Sequence, residues 1–176
     1  MKNQKLKLLA QAALIAALYV ALTYVFAPIS FGEIQVRIAE ALTILPVFTP
    51  AAIPGLFVGC LIGNAISGAV VPDIVMGSIA TLIGALGTRM LRKQSPFIAV
   101  LPPIVANMVI VPFVLRYAYE VQLPIPFMML TVGIGEVLSC GVLGILLYFA
   151  LYRHKNQIFR EDASLSEAER NAVSGR

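Results

Sequence analysis

Few side chains in this sequence can do chemistry, and those that can are set in apolar surroundings that make them expensive. Glu136 lies within TVGIGEVLSCGVLGILLYF, near the middle of an apolar run. A carboxylate at such depth costs at least about 2.5–3.5 kcal/mol and needs a partner, a cavity or a ligand. A structural carboxyl, a ligand contact and a proton relay are all open to it. Asn107 in PPIVANMVIVPF and Asn64 in VGCLIGNAISG are buried amides. An amide offers both donors and an acceptor, which suits the edge of a heterocycle. Interhelical hydrogen bonding, worth about 1 kcal/mol per bond, is the other reading. Gln35, Arg37 and Glu40 form a polar group in which Arg37 and Glu40 stand at i, i+3 spacing and can pair on one helix face. Asp73 follows Pro72 and fits a helix N-cap. Arg116, Tyr117, Tyr119 and Glu120 fit an interfacial belt whose rings can also cover a flat ligand.

Other chemistry is missing from the pattern. The sequence holds no GxxxxGK[ST] phosphate loop, no HExxH and no Ser/His/Asp grouping, and its single histidine, His154, sits in a basic flank. Cys60 and Cys140 lie inside apolar runs without a CxxC or a Cys/His partner at metal-ligand spacing, and read as packing residues. A nucleophile and base facing one cavity cannot be assembled. The expectation is a non-enzyme with no cofactor or metal, in which any ATP-driven work belongs to other chains.

The elements that position these residues must be helices in lipid. Apolar residues make up 59% of the chain and charged residues 12%, where soluble proteins carry about a quarter charged. A crossing takes roughly 20 apolar residues, so a chain of this length holds about six short-looped helices and no soluble domain of any size. The expected helices cover about 8–27, 37–48, 51–69, 73–91, 96–115 and 124–152, in a single transmembrane domain over 1–160. The second, broken by Pro46 and Pro50, is short enough to be tilted or re-entrant. Residues 161–176 are polar, lack aromatics, and are expected to be a disordered cytoplasmic tail. The first apolar run has the basic flank of a signal peptide but exceeds the length of its hydrophobic region, so it is expected to be a retained helix.

Charge orders the topology. Lys2, Lys5 and Lys7 precede the first helix, Arg89, Arg92 and Lys93 follow the fourth, and Arg153, Lys155 and Arg160 follow the sixth. With an even number of crossings between clusters, all three fall on the cytoplasmic side, as do both termini. The net charge of +4 thus reflects lipid topology, and nucleic acid is not an expected partner. On the first helix Ala12, Ala13, Ala16, Ala17 and Ala21 place small side chains along one face. Such a face lets another helix approach closely, whether from within the bundle or from a separate membrane subunit.

The stretch FGEIQVRIAEALTILPVFTPAAIPGLFVGCLIGNAISG, followed by PDIVMGSIATLIGALGT, closely resembles the QueT family of queuosine-precursor transporters. These are substrate-binding (S) components of energy-coupling factor (ECF) transporters. The resemblance spans about residues 8–152 and is most specific over 31–88. It implies a multi-pass, six-helix S-component fold in the plasma membrane of a prokaryote. Substrate is then captured from outside and delivered through a transmembrane coupling subunit and two ATPase subunits, which alone use ATP. It also implies that Ala12, Ala16 and Ala17 face the coupling subunit, and that the substrate is a 7-deazaguanine, namely the nitrile (preQ0), the aminomethyl compound (preQ1) or queuine. Such a ring presents an N1–H beside a 2-amino group, and a carboxylate can accept both bonds. Glu136 is the expected acceptor, Asn107 is expected to read the carbonyl or pyrrole edge, and Gln35, Arg37, Glu40 and Asn64 to line or close the pocket. An S component for another vitamin-like compound and a ligand-free assembly subunit remain open alternatives.

Overall fold

Without water to satisfy backbone N–H and C=O groups, an apolar segment in lipid must bond within itself, and helices do so. The computed structural model describes residues 2–30 and 36–154, and every element among them is helical. In chain order these are α1 (Lys2–Val25), α2 (Ala27–Ser30), a 3-10 helix (Ile38–Val47), α3 (Ala52–Ile66), α4 (Val71–Met90), α5 (Pro96–Ala99), α6 (Leu101–Tyr117), α7 (Ile125–Glu136), a π-helical segment (Val137–Leu143) and α8 (Gly144–Tyr152). Gln35 and the tail over 161–176 lie outside the described residues.

Among the described residues four helical stretches are long and apolar enough to cross a membrane: Gln4–Val25, Val71–Met90, Pro96–Tyr117 and Ile125–Tyr152. Ile38–Val47 and Ala52–Ile66 are apolar but shorter. At about 1.5 Å per residue, α3 reaches roughly 22 Å against a hydrocarbon core near 30 Å. Large apolar side chains such as Leu14, Ile66, Val71, Phe97, Leu130 and Leu146 stand exposed on the bundle's outside. That is the surface a bilayer covers.

The centre of the fold is the 3-10 helix. Runs of this kind rarely exceed three or four residues because their hydrogen bonds are poorly aligned, yet this one continues for ten, and Ala39 to Pro46 are all buried. It packs against α1, α3, α4, the π segment and α8. Around it, α1 lies on α3, α3 on α4, α4 on α6 and α6 on α7. Ile15, Tyr19, Leu42, Leu45 and Leu56 form one apolar core at this centre. Ile44, Val100 and Ile104 form a second, which also contains Cys140.

Small residues set the distances between helices. A Cβ added at Gly59 of α3 would stand 2.7 Å from Tyr19 Cβ, and one at Gly84 of α4 would stand 2.6 Å from Pro103 Cα of α6. Neither helix pair can approach this closely with a side chain there. Two further local features bear on the site. The stretch expected as one helix over 96–115 is interrupted at Val100, just before Pro102 and Pro103, which lack the N–H that a continuous ladder needs. The stretch over 124–152 widens into a π segment immediately after Glu136. A π insertion shifts the residues that follow, and such insertions recur at functional sites.

Candidate functional site

The polar residues buried in this bundle converge on the 3-10 helix. Because side chains at i and i+3 of such a helix eclipse, Glu40 and Thr43 share one side, and the Thr43 hydroxyl donates to the Glu40 carbonyl at 2.6 Å. The Glu40 carboxyl, 0% exposed, takes a short hydrogen bond from the Tyr19 hydroxyl of α1 on Oε1. The Thr81 hydroxyl of α4 lies 3.1 Å from the same oxygen and 3.4 Å from Cys60 Sγ of α3. Asn64 Nδ2 donates to Cys60 Sγ at 3.6 Å.

Glu136 arrives from the end of α7, and the π segment turns Cys140 inward beside it. Cys140 Sγ lies 3.2 Å from Glu136 Oε2 and 3.3 Å from Thr43 Oγ1. Carboxyl and thiol atoms of Glu40, Glu136 and Cys140 come within 4.8 Å of one another. At that separation two ionised carboxylates would repel by roughly 3 kcal/mol at an effective dielectric near 20. The three groups have metal-ligand types, and two of them already sit in hydrogen bonds, Cys140 Sγ with Glu136 and Thr43, and Glu40 Oε1 with Tyr19 and Thr81.

Asn107 of α6 faces both carboxyls. It is 0% exposed, and neither its Nδ2 nor its Oδ1 has a hydrogen-bond partner of normal geometry. Glu40 Oε2 and Ser139 Oγ are also buried and unbonded. Native interiors leave few such atoms, because each forfeits about 1–3 kcal/mol of hydration. Asn107 and the Glu40 carboxyl lie beside each other, so unspent donors and acceptors meet there.

A second layer adjoins this pair. Arg37, at the start of the 3-10 helix, forms an ion pair with Asp73 of α4 at 3.6 Å, and both are buried. Gly77 makes room for this layer: a Cβ there would lie 3.2 Å from Asn64 Nδ2 and 3.4 Å from Asp73 Oδ1. The Tyr119 hydroxyl, from the turn after α6, donates to Asp73 Oδ2 at 2.9 Å. Burial, then the neighbouring Asp73 carboxylate, pushes the Tyr119 phenol up to about 12, so it remains a neutral donor at physiological pH. Arg116, at the end of α6, donates to the Val121 carbonyl in that turn at 3.1 Å.

The structure adds to some expectations drawn from spacing and corrects others. Arg37 forms an ion pair with Asp73 and Glu40 is bonded by Tyr19 and Thr81, so partners from other helices join the i, i+3 neighbours that spacing offers. Asp73 is not the N-cap of α4; Val70 holds that position and accepts the Asp73 N–H at 2.9 Å, which leaves the Asp73 carboxylate free for Arg37 and Tyr119. Cys60 and Cys140, expected as packing residues, do pack in the two apolar cores and also touch the polar cluster, as do Tyr19, Thr43 and Thr81. Glu136, Asn107, Glu40, Arg37 and Asn64 are brought together, whereas Gln35 is outside the described residues.

The alanine face of α1 divides. Ala12 and Ala16 present backbone atoms to Gly55 and Gly59 of α3. Ala16 also lines, with Ala13, Ala17, Val58 and Ile62, an open apolar groove of about 630 Å³ between α1 and α3.

Compared with known proteins, residues 9–153 match the QueT transporter family. The queuosine precursor transporter QueT of Lactococcus lactis subsp. cremoris (strain MG1363) is 36% identical over 85 residues, 47% of this chain and 50% of that protein. The aligned stretch therefore spans about half the length of this curated relative. No solved structure matches.

Proposed function

The chain belongs to the QueT transporter family, and on that premise we propose that it is the substrate-capture subunit of an importer for a queuosine precursor, a 7-deazaguanine. The observation that carries this reading is the buried polar cluster with unspent hydrogen-bonding capacity, on Asn107 and Glu40 above all. A deazaguanine edge offers N–H donors next to a carbonyl acceptor, and it complements a carboxyl pair flanked by an amide. In this reading Glu136 accepts the N1–H and 2-amino protons, Asn107 reads the carbonyl or pyrrole edge, and Glu40, Arg37, Gln35 and Asn64 line or close the site.

The reading extends to topology and partners. The 3-10 helix and α3 count as two further membrane segments, giving the six-helix S-component arrangement of an ECF transporter with both termini cytoplasmic. The basic clusters at Lys5 and Lys7, at Arg89, Arg92 and Lys93, and at Arg153 support it by the positive-inside rule. The coupling subunit docks on the groove at Ala16 and Ala17, beside Ala12, and two ATPase subunits supply the energy, in the plasma membrane of a prokaryote. The protein itself uses no cofactor.

Calorimetric titration of the purified protein with the nitrile, aminomethyl and base forms tests this reading. Glu136→Gln is expected to weaken binding by at least about tenfold while the protein stays folded, the size of a lost charge-assisted contact. Unchanged affinity in that variant ends the assignment of Glu136. Heat only with another vitamin-like compound replaces the substrate, and no heat with any ligand favours an assembly subunit.

A further inference from the structure

α4 touches the 3-10 helix at both ends and in the middle. It carries Asp73 in its first turn and Arg89 in its last. Asp73 Oδ1 pairs at 3.6 Å with Arg37, the residue that opens the 3-10 helix. Midway, the Thr81 hydroxyl donates to Glu40 Oε1 at 3.1 Å. At the far end Arg89 Nη1 donates to the carbonyls of Pro46 and Val47, at 3.0 and 3.4 Å. Carbonyls at the end of a helix have no partner within it and need one from outside. From Asp73 to Arg89, α4 rises about 24 Å. Residues 37–47 cover about 20 Å at the rise of a 3-10 helix and only about 15 Å at that of an α-helix. The stretched form is thus the one whose two ends both meet α4. Relaxation to an α-helix would shorten the segment by about 5 Å and turn each step of three residues by about 60°, which takes Glu40 off the line it shares with Arg37 and Thr43.

Resting on the reading that the cluster around Glu40 takes a 7-deazaguanine, we propose that α4 acts as a splint and that Arg89 is a positioning residue for substrate binding. By holding the last carbonyls of the 3-10 helix, Arg89 keeps the segment stretched and Glu40 aimed into the site. A 3-10 run of ten residues needs such a hold, because its hydrogen bonds are poorer than those of an α-helix. Pro46, inside the run, has no N–H to give to either pattern. Arg89 touches no ligand itself, since about 12 Å of α4 separates it from Thr81 and the cluster. It is half-buried, next to the exposed Arg92 and Lys93. The geometry of the site is thereby tied to the far end of the bundle.

The test compares wild type, Arg89→Gln and Arg89→Lys as full chains in detergent. Each is titrated with 7-cyano-7-deazaguanine, 7-aminomethyl-7-deazaguanine and queuine, and its hydrogen exchange is followed by mass spectrometry on the same preparation. Arg89→Gln is expected to weaken binding about tenfold, the loss that follows when about a tenth of the molecules hold the binding-competent form. Exchange rises over residues 38–47 and stays at the wild-type level over α6 and α7. Arg89→Lys keeps a charged donor for the same carbonyls and returns both readings most of the way to wild type. Three results overturn the splint while leaving deazaguanine capture standing: wild-type affinity in Arg89→Gln, exchange that rises over α6 and α7 along with 38–47, or an Arg89→Gln chain that is not recovered folded. The last two would make Arg89 a general stabilising contact. Binding of none of the three compounds by wild type overturns capture, and the exchange pattern alone then decides the splint.

Discussion

Two regions of the bundle meet at Tyr19 and use lipid-buried space in opposite ways. Its Cβ sits where a side chain on Gly59 would go, part of a seam in which α1 and α3 close on each other through small residues. Its hydroxyl reaches into the cluster around Glu40, where Asn107 and one Glu40 oxygen have no hydrogen bond of normal geometry. Helices in lipid gain little from the hydrophobic effect, so a seam holds them by close fit. The cluster works against that fit, because it keeps polar atoms dry and unsatisfied. The seams therefore carry stability and the cluster carries recognition, and substitutions in the two regions should fail in different ways.

The largest effect is expected at a seam. Gly84→Leu places its side chain against the backbone of Pro103, where even a Cβ would be 2.6 Å away and nothing flexible can yield. Overpacking of this kind costs about 3 kcal/mol, so the thermal midpoint in detergent falls steeply or folded protein is not recovered. Gly141→Ala is the control. There an added Cβ meets Val137 Cγ1 at 3.6 Å, an ordinary contact, and stability stays within about 0.5 kcal/mol. If the two variants melt alike, close fit is not what holds the seams.

The cluster should show the reverse pattern. Asn107→Leu keeps the branched shape and removes an amide whose polar atoms have no hydrogen bond of normal geometry. Stability is expected to stay within about 1 kcal/mol of wild type or to rise, while deazaguanine affinity drops about tenfold or more. The pair of measurements is a thermal melt and a binding isotherm on the same preparation. A large loss of stability with binding intact would make Asn107 a packing residue and erase the contrast between the two regions.

The sequence exposes some of this division and hides the rest. Charged and amide groups such as Glu136, Glu40 and Asn107 stand out because an apolar background makes each of them costly. Tyr19, Thr81, Cys60 and Cys140 do not stand out, since hydroxyls and thiols are ordinary residents of membrane helices and show their role only when a carboxyl is found beside them. Spacing along one helix offers Glu40 to Arg37, whereas the ion pair with Asp73 comes from another helix and leaves no trace in spacing. The four long spans follow from apolar length. The 3-10 helix does not, because ten mostly apolar residues with a proline fit several backbones, and burial on nearly every side decides among them. The π segment is equally silent, as nothing in VLSCGVL distinguishes it from a continuing α-helix.

The smallest expected effect lies at the rim, and it calibrates the other two. Tyr119 is 37% exposed, so its hydrogen bond to Asp73 competes with water and contributes less than the buried bonds within the cluster. Tyr119→Phe is expected to lower stability by no more than about 1 kcal/mol. A phenol raised above its ordinary value contributes stability that is fully present below about pH 10 and fades only as pH climbs through about 12. The difference between the variant and wild type should therefore be flat from about pH 6 to 9. A denaturant titration across that range checks it. A loss as large as that of Gly84→Leu would mean that the turn after α6 clamps the bundle as a seam does, and the Arg37–Asp73 layer would then belong with the stability-bearing region instead of with the cluster it adjoins.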